Sequence, residues 1–281
     1  MPTVDFPTGV AATDPTFLVG SNASAAAKLA INAQGRSLVS AVDAAAERAV
    51  MGAAQDGTFA FEHVEMFLNS VTSLGQNMSS TVTGGTNANV TVTGRQGCVK
   101  MAVGTAATAD RTCNIGTHLT AAISLGNGRA QMNIEGAPTV ALATGGVSGK
   151  THIGFHDAPN SNVEPTDGVY FRAVDGGNWF TVCRSNNVET AVDTGILPAL
   201  DTYLTMVIDV NSAATSADLK LYNSSGTLLD SRTMTTNIPT GAGRQVGHGI
   251  RIVRITATGT DHSFIVDSMR LRLTYPSALP F

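Results

Sequence analysis

Tyr203-Leu204-Thr205-Met206-Val207-Ile208-Asp209-Val210 decides the fold class. Leu204, Met206, Ile208 and Val210 fall on one side of an extended chain, with Tyr203, Thr205, Val207 and Asp209 on the other. Period two is the signature of a strand with one face in a core. Residues 263–275 repeat it: Met269, Leu271 and Leu273 share one face, and Arg270 and Arg272 take the other. That is an antiparallel strand with a wet side. Ahead of them strands are predicted over 152–156, 168–174, 178–184 and 188–192, and between them over 249–257. Residues 218–222 and 227–232 flank Asn223-Ser224-Ser225-Gly226, a hairpin signal.

The preceding third of the chain is more interrupted. Residues 59–68 read as a strand. Residues 81–83 and 90–93 around Gly84-Gly85-Thr86-Asn87 predict a second hairpin, and 97–103, 119–125, 130–134 and 139–143 predict further strands. About a dozen short strands with no helices between them point to an all-β, antiparallel two-sheet sandwich rather than an α/β fold. No repeat of 20–50 residues is evident, which argues against a propeller or β-helix.

Residues 1–35 carry Pro2, Pro7 and Pro15 with scattered apolar anchors and read as an extended arm. A short helix is expected over 24–31. Residues 35–52 form the one confident amphipathic helix pattern: Leu38, Val42, Ala45 and Ala49 recur at helical spacing, Ser37 suits the N-cap and Gly52 the end. Such a helix is marginal alone in water and needs a partner. The chain thus divides into a docking arm with an oligomerisation helix (1–57) and a β-sandwich head (58–281).

A net charge of −4 argues against broad electrostatic binding to nucleic acid. No apolar run is long enough for a membrane-spanning helix, and the N-terminus lacks the pattern of a secretory signal. Cys98, Cys113 and Cys183 match no metal spacing and read as buried free thiols.

Two resemblances enter here. Gly35-Arg36-Ser37-Leu38, followed by Val42-Asp43-Ala44-Ala45-Ala46-Glu47-Arg48-Ala49 and Met51-Gly52, resembles a segment of tailed-bacteriophage fibre and minor structural proteins. From about residue 151 to 275 the chain resembles concanavalin-like, lectin-type jelly-roll domains of phage tail fibres and other virion appendages. The residues that carry this include Ile153-Gly154-Phe155, Asp167-Gly168-Val169-Tyr170-Phe171-Arg172, Asn178-Trp179-Phe180, Val192-Asp193-Thr194-Gly195, Thr236-Asn237-Ile238-Pro239 and Phe264-Ile265-Val266-Asp267. Together they imply a virion structural protein assembled in the host cytoplasm. They also imply a homotrimer with the alanine-rich helices around its axis, the arm bound to other virion proteins, and a concanavalin-like jelly-roll head facing outward. The head is then a short tail or head fibre or spike that binds host surface glycans. A capsid decoration or cement protein of the same architecture is the alternative.

The enzyme reading is weaker. Glucanases on this fold carry a Glu-x-Asp-x-x-Glu strand, which is missing; Glu62 and Glu65, three apart, would face opposite ways on a strand, and glycoside hydrolysis needs two carboxylates across one cleft. No nucleophile elbow, zinc helix or phosphate loop is present. A polysaccharide-degrading enzyme is therefore the third reading, and no catalytic residues are assigned. In a lectin, Trp179, Tyr170 and Tyr203 are the aromatic candidates for stacking on a sugar. Asp157, Asn160, Asn162, Glu164 and Asp167 offer oxygen donors suited to Ca²⁺. Arg251, Arg254, Arg270 and Arg272 would suit an acidic glycan, although outward strand arginines are normally solvated.

Overall fold

The computed structural model describes residues 16–19, 27–30, 59–65, 79–95, 97–104, 111–117, 123–139, 149–157, 163–174, 176–254 and 261–275. The helix expected over 35–52, with Leu38, Val42, Ala45 and Ala49, lies outside them. The chain divides into two compact units, one of residues 1–60 with 276–281, the other of residues 61–275. In the first, β1 (Thr16–Val19) pairs antiparallel with β2 (Ala27–Ala30). The helix expected over 24–31 is therefore corrected at its centre. So short a helix barely repays its nucleation, whereas a ladder with Phe17, Leu18 and Val19 satisfies the same backbone groups.

The second unit is a sandwich of β3 (Phe59–Glu65, from residue 61 on), β4 (Ser79–Thr83), β5 (Thr86–Val90), β6 (Cys98–Ala102), β7 (Arg111–Gly116), β8 (Arg129–Pro138), β9 (Gly149–His156), β10 (Gly168–Val174), β11 (Trp179–Ser185), β12 (Val188–Asp193), β13 (Leu204–Val210), β14 (Ala217–Asn223), β15 (Leu228–Met234), β16 (Gly247–Arg254) and β17 (Ser263–Tyr275). One sheet has seven strands in the order β12-β11-β10-β9-β16-β7-β4. The other has eight, in the order β15-β14-β13-β8-β17-β6-β5, with β3 also paired to β17. Their pairings are antiparallel throughout both orders.

Alternation builds the core. Leu204, Met206, Ile208 and Val210 of β13 meet Ile153, Phe155, Val169, Phe171, Ile250 and Ile252 of the other sheet in one buried cluster. Each such side chain contributes roughly 1.5–3 kcal/mol by leaving water. Trp179 sits edge-on to Phe264, ring centroids 6.4 Å apart. The three cysteines are free and buried.

Two expectations about strands change. The hairpin predicted around residues 84–87 does not form: β4 pairs with β7 in one sheet and β5 with β6 in the other. Gly84 has φ +68°, and a Cβ on Gly85 would lie 2.3 Å from Cys113 Sγ and 2.7 Å from the Ala102 carbonyl, so the chain turns a packed corner between sheets instead of doubling back. β7, in contrast, carries almost no strand signal, because only Cys113 and Ile115 of its six residues are apolar. The hairpin of β14 and β15 forms as expected, with Gly226 at φ +78° and one register shift between Leu221 and Tyr222.

A line of glycines crosses the seven-stranded sheet. Gly116, Gly249 and Gly154 are register partners on β7, β16 and β9, with φ of +141°, +156° and +148°. A Cβ on Gly154 would lie 2.6 Å from Ile208 Cδ1 and from the Val169 carbonyl oxygen. Gly154→Ala is expected to lower unfolding free energy by about 2–4 kcal/mol, combining disfavoured backbone with overpacking. Gly241→Ala, where nothing lies within 4 Å, should cost about 1 kcal/mol. Urea denaturation midpoints measure both.

Candidate functional site

Because Ile153 and Phe155 enter the core, Lys150, His152, Gly154 and His156 of β9 lie on the outer face of the seven-stranded sheet. Cross-strand register extends this face into rows. Asn114, Arg251, His152, Arg172 and Phe180 lie side by side on β7, β16, β9, β10 and β11. The next row is Gly116, Gly249, Gly154, Tyr170 and Val182. Such outward positions are usually wet, but Asn114, Arg251, His152, His156 and Tyr170 are all buried.

Glu164 organises this polar layer. Its carboxylate accepts from His152 Nε2 at 2.9 Å and from the Lys150 ammonium, and Arg172 Nη1 stands 3.8 Å away. Glu189 is held by both terminal nitrogens of Arg172 and by Arg184 Nη1, each at 2.9 Å. Burial alone would raise the Glu164 pKa, but the His152 hydrogen bond and the Lys150 contact outweigh it and hold the carboxyl well below the usual range. His152 goes the other way. Burial lowers its pKa to about 4 despite Glu164, so the ring is neutral at pH 7 and its Nε2–H donates to the carboxylate. Tyr170 stands edge-on between His152 and His156, with centroids 5.4 and 6.1 Å away, and burial keeps its hydroxyl protonated.

The anticipated site residues do not assemble. Trp179 and Tyr170 are fully buried, Trp179 in the core and Tyr170 in the polar layer, so neither offers a ring face to a sugar. Tyr203 is half-buried, with the Arg95 guanidinium 3.5 Å over its ring centroid; Arg95 in turn pairs with Glu135 and Asp267. The bulge between Val266 and Ser268 on β17 leaves Asp267 out of the ladder. Of the five oxygen donors proposed for Ca²⁺, the three described ones bond within the protein. Asp157 Oδ1 accepts from the Asp167 amide, Asp167 Oδ1 from the Asn186 amide and Arg244, and Glu164 from its cations. Asn160 and Asn162 lie outside the described residues. Among the described residues no three His, Cys, Asp or Glu side chains are placed to hold a metal ion.

The eight-stranded sheet carries an accessible feature on its outer face. Arg270 and Arg272 of β17 face Asn133 and Gln131 of β8 in register, and these four line a recess of about 190 Å³. Both arginines are exposed, as expected, unlike Arg251 and Arg254, which are buried. Arg270 pairs with Glu62 at 2.7 Å, and Gln131 donates to Asp209 at 3.0 Å. The recess thus holds guanidinium and amide donors on two rigid neighbouring strands. Alternation places the arginines legibly; their cross-strand amide partners require the register.

Residues 94–267 match the sequence profile of the family described as SO2946-like, C-terminal domain. Among solved structures, the protein of unknown function SO2946 from Shewanella oneidensis MR-1 superimposes with a TM-score of 0.60 at 16% identity, over 80% of this chain and 90% of that one. Arcelin-5, a lectin-like defense protein of Phaseolus vulgaris, gives 0.50 at 10% identity over 77% and 99% of the two chains. A Lotus tetragonolobus seed lectin gives 0.50 at 8% over 76% and 98%. At such identities the likeness is one of fold, the lectin-type jelly roll. No curated protein sequence matches this chain.

The polar layer makes stability depend on acid. Both His152 and Glu164 have folded-state pKa values below their unfolded ones, so each contributes stability at neutral pH that is lost on acidification. For His152 the window runs from about pH 6.5 down to about 4 and is worth about 3 kcal/mol. His152→Gln, which keeps a donor for Glu164, should flatten the unfolding free energy across that window. Denaturant titrations at half-unit pH steps measure the slope.

Proposed function

The chain belongs to the SO2946-like C-terminal domain family, and from its lectin-type sandwich we propose that it is a non-enzymatic glycan-binding head of a bacteriophage virion protein. The carrying observation is the recess on the eight-stranded sheet. Its paired amide and guanidinium donors suit the hydroxyls, and any acidic groups, of a surface glycan. Strands hold these groups at fixed spacing, so little ordering entropy is lost on binding. The virion role rests on the resemblance of residues 35–52 to phage fibre segments. In that role the arm docks on other virion proteins and the helices join three copies. The absence of a Glu-x-Asp-x-x-Glu strand favours binding over hydrolysis.

The full-length protein is expected to retain host-surface glycans on an array. Arg272→Ala and Asn133→Ala should each weaken that binding by about 10–100-fold, the loss of a hydrogen bond to a charged group or its neutral counterpart, with melting temperature unchanged. Retention unaffected by both variants would place recognition elsewhere on the head. Release of reducing sugars from host polysaccharide would replace binding by hydrolysis. Immunogold labelling of particles separates fibre from capsid decoration, and its absence from purified particles would refute the virion role.

A further inference from the structure

Arg251 is a buried charge with no hydrogen-bond partner among the described residues. It lies at the middle of β16, a strand with neighbours on both sides, and Ile250 and Ile252 beside it enter the core, which puts its guanidinium in the polar layer. Its exposure is 0%, yet none of Nε, Nη1 and Nη2 has a hydrogen-bond partner. The contrast with the neighbouring cations is informative. Arg172 and Arg184 share Glu189, Arg244 reaches Asp167, and Arg254 donates to the Gly104 carbonyl. Glu164 is the first-ranked negative neighbour of Arg251, but its oxygens are already engaged by His152 and Lys150.

Leaving a guanidinium out of water and unpaired is strongly unfavourable. Burial lowers the Arg251 pKa to about 10, which still leaves it charged at pH 7. The local balance asks for an anion. Lys150, Arg172, Arg184 and Arg251 face Glu164, Glu189 and Asp157, and His152 is neutral, so one positive charge is in excess. A second donor is at hand. The Tyr170 hydroxyl is buried on the same face and has no hydrogen-bond partner among the described residues. The strand between them, β9, carries His152 in the row of Arg251 but Gly154 in the row of Tyr170, and Gly249 continues that second row on β16, so this row puts no side chain between β16 and Tyr170.

We propose that Arg251 and Tyr170 bind a carboxylate within the polar layer of the seven-stranded sheet, the guanidinium gripping both oxygens and the phenol donating to one. A planar monoanion matches the two-pronged guanidinium and the single excess charge, whereas a dianion would bury a second unbalanced charge. The carboxylate belongs either to a small free acid or to an acidic sugar. The site lies on the sheet opposite the surface recess, so it stands or falls separately from the glycan-binding role.

The test is thermal melting of the full-length protein in formate, acetate or glucuronate, against chloride at matched ionic strength. At a hundredfold excess over Kd the bound carboxylate should raise the melting temperature by about 5–10 °C, saturably, with no such rise in chloride. Tyr170→Phe keeps the ring and should weaken the apparent affinity by about tenfold or less. Arg251→Met should abolish the saturable rise. A rise with formate and acetate identifies a free acid, and one with glucuronate alone identifies a sugar carboxylate. Equal rises in chloride, a response unchanged in Tyr170→Phe, or no saturable rise at all would overturn the site; the last result would mean that ordered water alone satisfies the guanidinium. Should Arg251→Met not fold, ¹³C-formate line broadening on wild type and Tyr170→Phe decides the same question.

Discussion

A charge removed from water must be answered by another charge or by hydrogen bonds, and that constraint shapes one whole face of this sandwich. On the seven-stranded sheet the answers come in register. Glu189 meets Arg172 and Arg184, and Glu164 meets Lys150 and His152. Burial makes each contact worth more than it would be at the surface and makes each omission costlier. The eight-stranded sheet shows the opposite regime. Arg270 and Glu62 pair in the open, where solvent leaves little net gain and the side chains stay available to other partners.

Most strands were legible because one buried face imposes alternation. Residues 203–210 and 263–275 could hardly be read otherwise, and both sit centrally in the order β13-β8-β17. Failures occurred where a local signal competed with packing. The Gly84-Gly85-Thr86-Asn87 stretch has turn chemistry, but tight contact of Gly85 with Cys113 and Ala102 sends the flanking strands into different sheets. β7 was overlooked although Cys113 and Ile115 alternate correctly, since two apolar residues in six make a faint pattern.

The candidate sites were harder to read, for a physical reason. Alternation tells which residues share a face, but not whether that face meets water. Arg251 reads as an outward strand arginine, but its burial, and that of His152 and Tyr170 on the same face, does not show in the sequence. Trp179 and Tyr170 illustrate the converse error: a rare aromatic in a lectin-like fold invites a sugar-binding role, while its area makes it a natural core or layer filler. The recess was half legible, through Arg270 and Arg272. Asn133 and Gln131 join them only because β8 and β17 pair across a long interval of sequence.

That pairing has a consequence for how the molecule is made. β17 adjoins β8, β6 and β3, yet it follows all of them in the chain. Until β17 joins them, those earlier strands keep edges unpaired and apolar faces uncovered. Loop closure over such distances is slow, and open edges recruit other copies. Closing the eight-stranded sheet therefore waits on contacts of long sequence separation, which topology makes slow.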